Sequence, residues 1–331
     1  MRAKQNKRTA ILVLSGVLLL LPGLFLAISR GAMEIGPAEI WNAIFHYSES
    51  ITDMMIRDVR IPRAVCAMFT GGILGLAGAM TQGITRNPVA EPSLLGISQG
   101  ATLAIACFYG AGIGVTTANV MAAALFGAVL GGSLIAGIAI RKPGNMSITK
   151  LLLAGTAMST FFSALTTVLG LLTNQSQMIA FWVSGGFRSA SWTEAIFIMM
   201  VGILGMIPAV LLSAKINIIS LGDDTAISLG ENPTHVRLVT LLLLLPLCAA
   251  TVVVGKTIGF VGLIVPQIVR LFVGEDYRRI IPCSFLLGSI LLTYADVAAR
   301  LFYAPYEIPI GIFTALLGVP FFLYMARKER G

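Results

Sequence analysis

Residues 60–100 carry the sequence RIPRAVCAMFTGGILGLAGAMTQGITRNPVAEPSLLGISQG, and this stretch indicates the fold class. No charge lies between Arg63 and Arg86, and the polar turn RNPVAEP at 86–92 then leads directly into a second apolar run. About 20 apolar residues are enough for a helix to cross the hydrocarbon core of a bilayer. The stretch therefore predicts two membrane helices joined by a tight loop that prolines bound.

The composition of the whole chain is that of a protein with many membrane spans. Of its 331 residues, 56% are hydrophobic and only 11% are charged, whereas soluble domains carry about 25% charged residues. The apolar segments lack the alternating pattern of a membrane β-barrel, so we expect helices. The sequence thus predicts an all-α polytopic membrane protein with about ten transmembrane helices in a single domain over residues 1–331. The predicted spans are 10–29, 64–84, 93–110, 117–140, 151–173, 195–214, 236–255, 258–273, 280–295 and 308–326.

The distribution of basic residues predicts which side of the membrane each loop occupies. Cytoplasmic loops of membrane proteins are enriched in Lys and Arg. With the N-terminus inside, 16 of the 23 Lys and Arg residues fall on the cytoplasmic side and 7 fall outside. This topology gives two cytoplasmic termini, a cytoplasmic tail at 1–9 and an extracytoplasmic loop at 30–63. It also explains the net charge of +8 without a nucleic-acid partner.

The first apolar segment has two interpretations. Its basic start and the small residues at 27–29 are typical of a cleaved signal peptide. The segment is also long enough to span a membrane, and many further spans follow it. We therefore expect an uncleaved first helix.

Three arginines of the predicted outer loop run against the basic-inside trend. Arg57, Arg60 and Arg63 could snorkel at the membrane interface, or they could bind acidic side chains of an extracytoplasmic partner, because arginine and carboxylate pair in a defined geometry. Asp296 and Arg300, four residues apart at the outer end of a span, could pair on one helix face.

The longest predicted cytoplasmic loop, residues 217–233, contains the signals of a short helix. Gly222 and Gly230 bracket it, and Asp223 and Asp224 stand where a helix start favours negative charge. The segment is either a solvated connector or a helix that fits a groove on a cytoplasmic partner, and composition alone favours neither.

No motif in the chain predicts chemistry of its own. Gly255, Lys256 and Thr257 resemble the end of a phosphate-binding loop, but the glycine required five positions earlier is Ala250. No cluster of His, Cys or carboxylate residues has metal or nucleophile spacing. An ion-coupled secondary transporter, the alternative of another class, predicts carboxylates within the spans, and these are almost absent.

Several longer motifs resemble one known family. They are RIPR at 60–63, KLLLAG at 150–155, FWVSGG at 181–186, GFVGLIVPQIVRL at 259–271, EIPIGI at 307–312 and LGVP at 317–320. Together they are similar to the FecCD family, the permease subunits of bacterial ABC importers for iron-siderophores, haem and cobalamin. One departure is Gln267, where the family usually has histidine, although glutamine can still donate and accept hydrogen bonds.

The resemblance implies a type II ABC importer permease fold in a bacterial cytoplasmic membrane. It implies a translocation path at the interface with a second permease subunit, which is either the same chain or a paralogue. Cytoplasmic ATPase subunits would hold ATP–Mg, so this chain would bind no cofactor and catalyse no reaction. An extracytoplasmic binding protein would deliver the substrate. We expect an iron(III)-siderophore, with haem or cobalamin as the alternative.

The resemblance also implies roles for particular residues. The binding protein would dock on Arg60, Arg63 and Arg300. The ATPase would contact a coupling helix whose matching residues are Leu221, Gly222, Asp223, Asp224, Ala226, Leu229 and Gly230. A cytoplasmic gate loop would include Ser147, Ile148 and Thr149.

Overall fold

The structure, a computed structural model, describes residues 2–31, 33–92, 96–112, 116–140 and 148–328. Within these ranges the regular structure is helical, and no strand occurs. Seven helices are long and apolar enough to cross a membrane, and shorter apolar helices accompany them. The prediction of an all-α polytopic membrane protein is confirmed.

Fourteen α-helices follow one another along the described residues. They are α1 (Arg2–Ser29), α2 (Pro37–Phe45), α3 (Ile51–Met54), α4 (Ile61–Thr85), α5 (Ile97–Gly110), α6 (Thr117–Ile140), α7 (Ile148–Leu172), α8 (Ser176–Val183), α9 (Trp192–Ser220), α10 (Asp223–Ser228), α11 (Pro233–Gly255), α12 (Val261–Val273), α13 (Tyr277–Leu301) and α14 (Ile310–Lys328).

Each predicted span coincides with one of these helices, but two of the helices are short. Helix α5 has 14 residues and α12 has 13. At 1.5 Å per residue each covers about 20 Å, against roughly 30 Å of hydrocarbon. Non-helical segments, 86–92 before α5 and 256–260 before α12, therefore belong to the membrane-embedded part of the fold.

The outer loop predicted at 30–63 is largely helical. Helix α3 continues through a π-helical turn, Met55–Arg60, into α4, so that one helical rod runs over Ile51–Thr85. The hydroxyl of Ser50 caps the start of this rod by accepting from the backbone N–H of Asp53 at 3.1 Å. The segment predicted as a tail at 1–9 is helical from Arg2 onward.

Helix α4 lies at the centre of the bundle because its glycines let neighbouring backbones approach. A Cβ at Gly71 would lie 2.2 Å from the carbonyl oxygen of Gly288 on α13, and one at Gly78 would lie 2.0 Å from that of Gly262 on α12. Small residues allow membrane helices this close contact. The buried share of the most apolar part of the 51–85 rod is 78%, against 22% for α7.

The polar turn after α4, residues 86–92, folds back into the protein instead of forming a loop at the surface. The side-chain amide of Gln267 donates to the carbonyl oxygen of Pro88 at 2.7 Å, and the Glu91 carboxylate accepts from the backbone N–H of Phe260 at 2.6 Å. The ring of Pro92 lies beside Gly262, which packs on Gly78. The turn therefore rises about 10 Å along α4, and protein groups satisfy polar atoms that lipid could not.

Candidate functional site

Two polar clusters lie at the two ends of α4. The inner cluster joins α4 to the short helix α10, and the outer cluster joins α4 to α13 and to the end of α1. The outer cluster contains Arg60, Arg63 and Arg300, and the inner cluster contains Asp223 of the predicted coupling helix.

Helix α10 and the residues beside its ends expose apolar side chains at the protein surface. It runs between Gly222 and Gly230, whose φ values of +122° and +83° are ones that L side chains rarely adopt. Ala226, within α10, is fully buried. Three large apolar side chains are exposed on α10 or directly beside its ends: Leu221, Ile227 and Leu229, by 66%, 63% and 59%. Ile227 was not among the predicted residues, although its position directly after the buried Ala226 places it on a different face of the helix.

Asp223 fixes α10 to two long helices. Its carboxylate forms a two-pronged ion pair with Arg237 of α11, with nitrogen–oxygen distances of 2.6 and 3.0 Å, and a second pair with Arg86 at 3.2 Å. Arg237 also donates to the carbonyl oxygen of Ile84 in the last turn of α4 at 3.2 Å. The hydrogen bonds from Arg237 lower the pKa of Asp223 below its ordinary value, and the charge of Arg86 acts in the same direction. Asp223 and Arg237 thus link α10 to both α11 and the end of α4.

Gln267 and Arg270 form a further polar group, which holds the turn at 86–92 against α12. The amide of Gln267 donates to Gln82 of α4 at 2.9 Å as well as to Pro88, and Arg270 donates to the same Gln82 oxygen at 3.0 Å. The glutamine that departs from the family pattern therefore acts as a hydrogen-bond clamp between α4, α12 and the turn.

The outer cluster is buried. Arg63 of α4 pairs with Asp296 of α13 at 2.9 Å and with Glu307 at 2.7 Å. Arg300 pairs with Asp296 at 3.2 Å, which confirms the predicted contact across one helical turn, and it donates to the carbonyl oxygen of Ala27 at 2.9 Å. Arg60 donates to the carbonyl oxygens of Ile28, at 2.6 Å, and of Met33.

The three arginines of the expected docking surface are largely buried in the single chain. Arg60, Arg63 and Arg300 are exposed by only 5%, 7% and 7%. The reason is that carboxylates and carbonyl groups from distant parts of the chain already engage their guanidinium groups. The three residues tie together the outer ends of α1, α4 and α13.

Glu307 and Arg188 form the accessible rim of the outer cluster. Glu307 bridges Arg63 and Arg188, the latter at 3.2 Å, and the side chains of Glu307 and Arg188 are exposed by 26% and 56%. Burial alone would raise the pKa of Glu307, but hydrogen bonds and charge from the two arginines lower it below the ordinary value. The sequence predicts no role for Arg188, because nothing near it in sequence indicates its partner.

Helix α7 exposes a stripe of hydroxyl groups. Thr156, Thr160, Ser163 and Thr167 follow one face at spacings of four, three and four residues, and all are exposed. The Thr160 and Thr167 hydroxyls donate back to the carbonyl oxygens of Thr156 and Ser163, each at 3.0 Å. No role was predicted for these four residues, although their helical spacing is visible in the sequence.

Of the three residues named for the predicted gate loop, one lies outside the described residues. Ser147 is not described, and Ile148 and Thr149 form the first turn of α7.

The sequence of this chain is similar to that of a transport family and of known permeases. The sequence profile of the FecCD transport family matches residues 18–328. The iron(3+)-hydroxamate import system permease protein FhuB of Bacillus subtilis strain 168 is 41% identical over 321 residues, covering 97% of this chain and 84% of that protein. The Fe(3+)-citrate import system permease protein YfmD of the same organism is 36% identical, covering 99% and 97%.

A solved structure has the same fold over nearly the whole chain. It is an ABC transporter assigned to the metal-chelate type, in an inward-facing conformation, and it aligns with a TM-score of 0.82 at 27% identity, covering 96% of this chain and 99% of that one.

Proposed function

The chain belongs to the FecCD transport family, and we propose that it is the transmembrane permease subunit of an ATP-driven importer for an iron(III)-siderophore. The observation that carries this proposal is the 41% identity to an iron(3+)-hydroxamate permease over 97% of the chain. Haem or cobalamin import remains the alternative within the family, and ion-coupled transport the alternative of another class.

The proposal places a cytoplasmic ATPase subunit on α10. The exposed apolar side chains of Leu221, Ile227 and Leu229 are suited to an apolar groove on a partner, because exposed apolar patches are typical of protein–protein interfaces. Asp223 supports the proposal because it ties α10 to α4 and α11, which any movement of α10 would then displace. ATP–Mg is bound by the partner, and this chain holds no cofactor.

A second permease subunit completes the translocation path, with α7 lining it. The low burial of α7 in the single chain and its exposed hydroxyl stripe support this role. A large polar chelate can form hydrogen bonds with hydroxyl groups, and these groups satisfy themselves by bonding back to the helix when no chelate is present. Ser147, Ile148 and Thr149 form the cytoplasmic gate of that path.

The outer cluster receives the binding protein that delivers the chelate. Arg60, Arg63 and Arg300 set the shape of the outer face, and the rim pair of Arg188 and Glu307 is the accessible charge next to it. An acidic partner would compete with Glu307 for the guanidinium groups of Arg63 and Arg188. The termini lie in the cytoplasm, as the distribution of basic residues indicates.

An uptake experiment tests the function as a whole. A bacterium that lacks its own permease for these substrates is given this chain together with an ATPase and a binding protein from the same organism. Uptake is measured with radioactive iron for ferric hydroxamate, ferric citrate and haem, and with radioactive cobalt for cobalamin. We expect iron uptake from one iron(III)-siderophore that stops when the ATPase cannot hydrolyse ATP. Uptake of haem or cobalamin alone would favour the alternative substrates, and uptake that persists without ATP hydrolysis but collapses with the proton gradient would favour ion-coupled transport.

A further inference from the structure

An apolar groove of about 480 Å³ runs between α1 and the pair α12 and α13. Its walls carry large apolar side chains, several of them well exposed, and its mouth carries one cation, Arg8. Among the wall residues are Ile11, Leu19, Leu271, Phe272, Leu286 and Ile290. None of these residues belongs to the polar clusters at the ends of α4.

The groove has the depth of one leaflet of a bilayer. Arg8 and Leu19, which line it at either end, are eleven residues apart on α1, or about 16 Å at 1.5 Å per residue. Half of the hydrocarbon core is about 15 Å. A groove that opens at the membrane surface beside Arg8 therefore ends close to the bilayer midplane beside Leu19.

The position of α1 that forms the groove is fixed by close contacts. A Cβ at Gly16 would lie 2.6 Å from a methyl group of Leu286, and the hydroxyl of Tyr294 donates to the carbonyl oxygen of Leu19 at 3.0 Å. At the other end, Arg279 of α13 donates to Gln5 and Asn6 of α1 at 3.2 and 2.8 Å. These contacts hold α1 against α13 at both ends while leaving the groove between them open.

The mouth of the groove is positively charged. Arg8 is exposed, and no carboxylate in the described part of the chain forms an ion pair with it. Lys7 and Arg279 lie at the same end, and Glu275, on the turn between α12 and α13, is paired with Arg270. A basic residue at the surface end of an apolar groove complements a molecule with an anionic head and an apolar tail.

We propose that this groove binds one anionic phospholipid, with an acyl chain between α1 and α12–α13 and the phosphate group on Arg8. The bound lipid would cover the exposed side chains of Leu271 and Phe272 and would pack α1 against the bundle. In the single chain, only 17% of the most apolar part of α1 is buried. The proposal does not depend on what the protein transports.

Lipid retention tests the proposal directly. Full-length protein is equilibrated in detergent with equal amounts of phosphatidylglycerol and phosphatidylcholine that carry identical acyl chains, and the lipids retained per chain are counted by native mass spectrometry. We expect one phosphatidylglycerol in excess over phosphatidylcholine. In Arg8→Gln this excess falls about fivefold, the effect of one basic residue at an anionic membrane surface, while phosphatidylcholine retention stays the same.

Two further variants separate the headgroup contact from the acyl-chain contact. Lys7→Gln removes the same charge one residue away from the groove lining and should lower the phosphatidylglycerol excess by less than Arg8→Gln does. Ser15→Phe adds bulk inside the groove, where the Ser15 hydroxyl only donates to its own helix, and should lower retention of both lipids. Equal retention by Arg8→Gln and Lys7→Gln would overturn the proposal. So would cross-linking of a Ser15→Cys variant to a partner protein in place of lipid.

Discussion

The two ends of α4 carry similar charges in opposite settings. At the outer end, the side chain of Arg63 is exposed by 8% and that of its partner Asp296 by 1%. At the inner end, the side chains of Arg86 and Asp223 are exposed by 38% and 40%, and α10 beside them presents bare apolar side chains. The outer cluster is closed within the chain, whereas the inner one is open to a partner.

The charges at the outer end of α4 are therefore engaged within the chain, whereas those at the inner end are partly exposed. Removing one member of a buried ion pair leaves a charge without compensation, and the effect is usually several times that of breaking an exposed pair. Mutations at the outer end should therefore act first on folding, and mutations at the inner end should act first on partner binding.

The largest effect is expected for Asp296→Asn. The change removes the charge that both Arg63 and Arg300 face in the interior, and loss of one partner of a buried pair destabilises by about 3–5 kcal/mol. Thermal unfolding of the detergent-solubilised protein should show a large drop in Tm. Arg188→Gln, which breaks an exposed pair, is the control and should unfold within a few degrees of the unmodified protein. Equal Tm values for the two variants would mean that the outer cluster does not hold the helices together.

A smaller effect, about 1.5–3 kcal/mol, is expected for Asp223→Asn, because charge-assisted hydrogen bonds to the buried Arg237 are weakened. The pKa of Asp223 is lower in the folded protein than in the unfolded chain. Its contribution to stability is therefore present above the unfolded pKa of about 3.9 and is lost as the pH falls through the lower folded value.

Unfolding by denaturant at a series of pH values measures this contribution. The stability difference between the unmodified protein and Asp223→Asn should be constant from pH 7 to about pH 5 and should close below the ordinary carboxyl range. A difference that stays constant through pH 3 would show that the ion pair does not supply the stability.

An intermediate loss of partner affinity is expected for Ile227→Asp. A charge in the centre of an apolar contact should weaken ATPase binding about tenfold, or roughly 1.4 kcal/mol, with no change in Tm because the side chain is exposed. Co-purification and titration with the ATPase measure this loss. Ser228→Asp puts the same charge on a polar position of α10 and is the matched control. If both variants bind alike, α10 is a solvated connector.

The smallest effect is expected for Arg188→Glu at the outer rim. Rim charges mainly alter association rates, so binding of the extracytoplasmic protein should weaken severalfold at low salt and approach the normal value at high salt. Arg30→Glu, at an exposed arginine of the same predicted outer loop, is the control. An effect of equal size at both positions would reflect net charge alone and would contradict docking at the rim.

The sequence predicted the helices well because the signals for them are local. Runs of about 20 apolar residues indicated the spans, and Gly222 and Gly230 lie one residue before and two residues after α10. The half-length helices were less accessible, because the turn at 86–92 has the composition of a surface loop. Only its contacts with Gln267 and Phe260, far away in the sequence, show that it climbs into the protein.

The sequence by itself determined that this chain is helical and spans a membrane, because bilayer thickness and unpaired backbone groups leave an apolar chain few alternatives. Only the tertiary structure decided which charges are buried. Arg63 and Asp296 are 233 positions apart, and nothing near either residue indicates the other. Their pairing depends on the glycines that bring α4 against α13, and so the packing of two helices converts an apparently external arginine into an internal one.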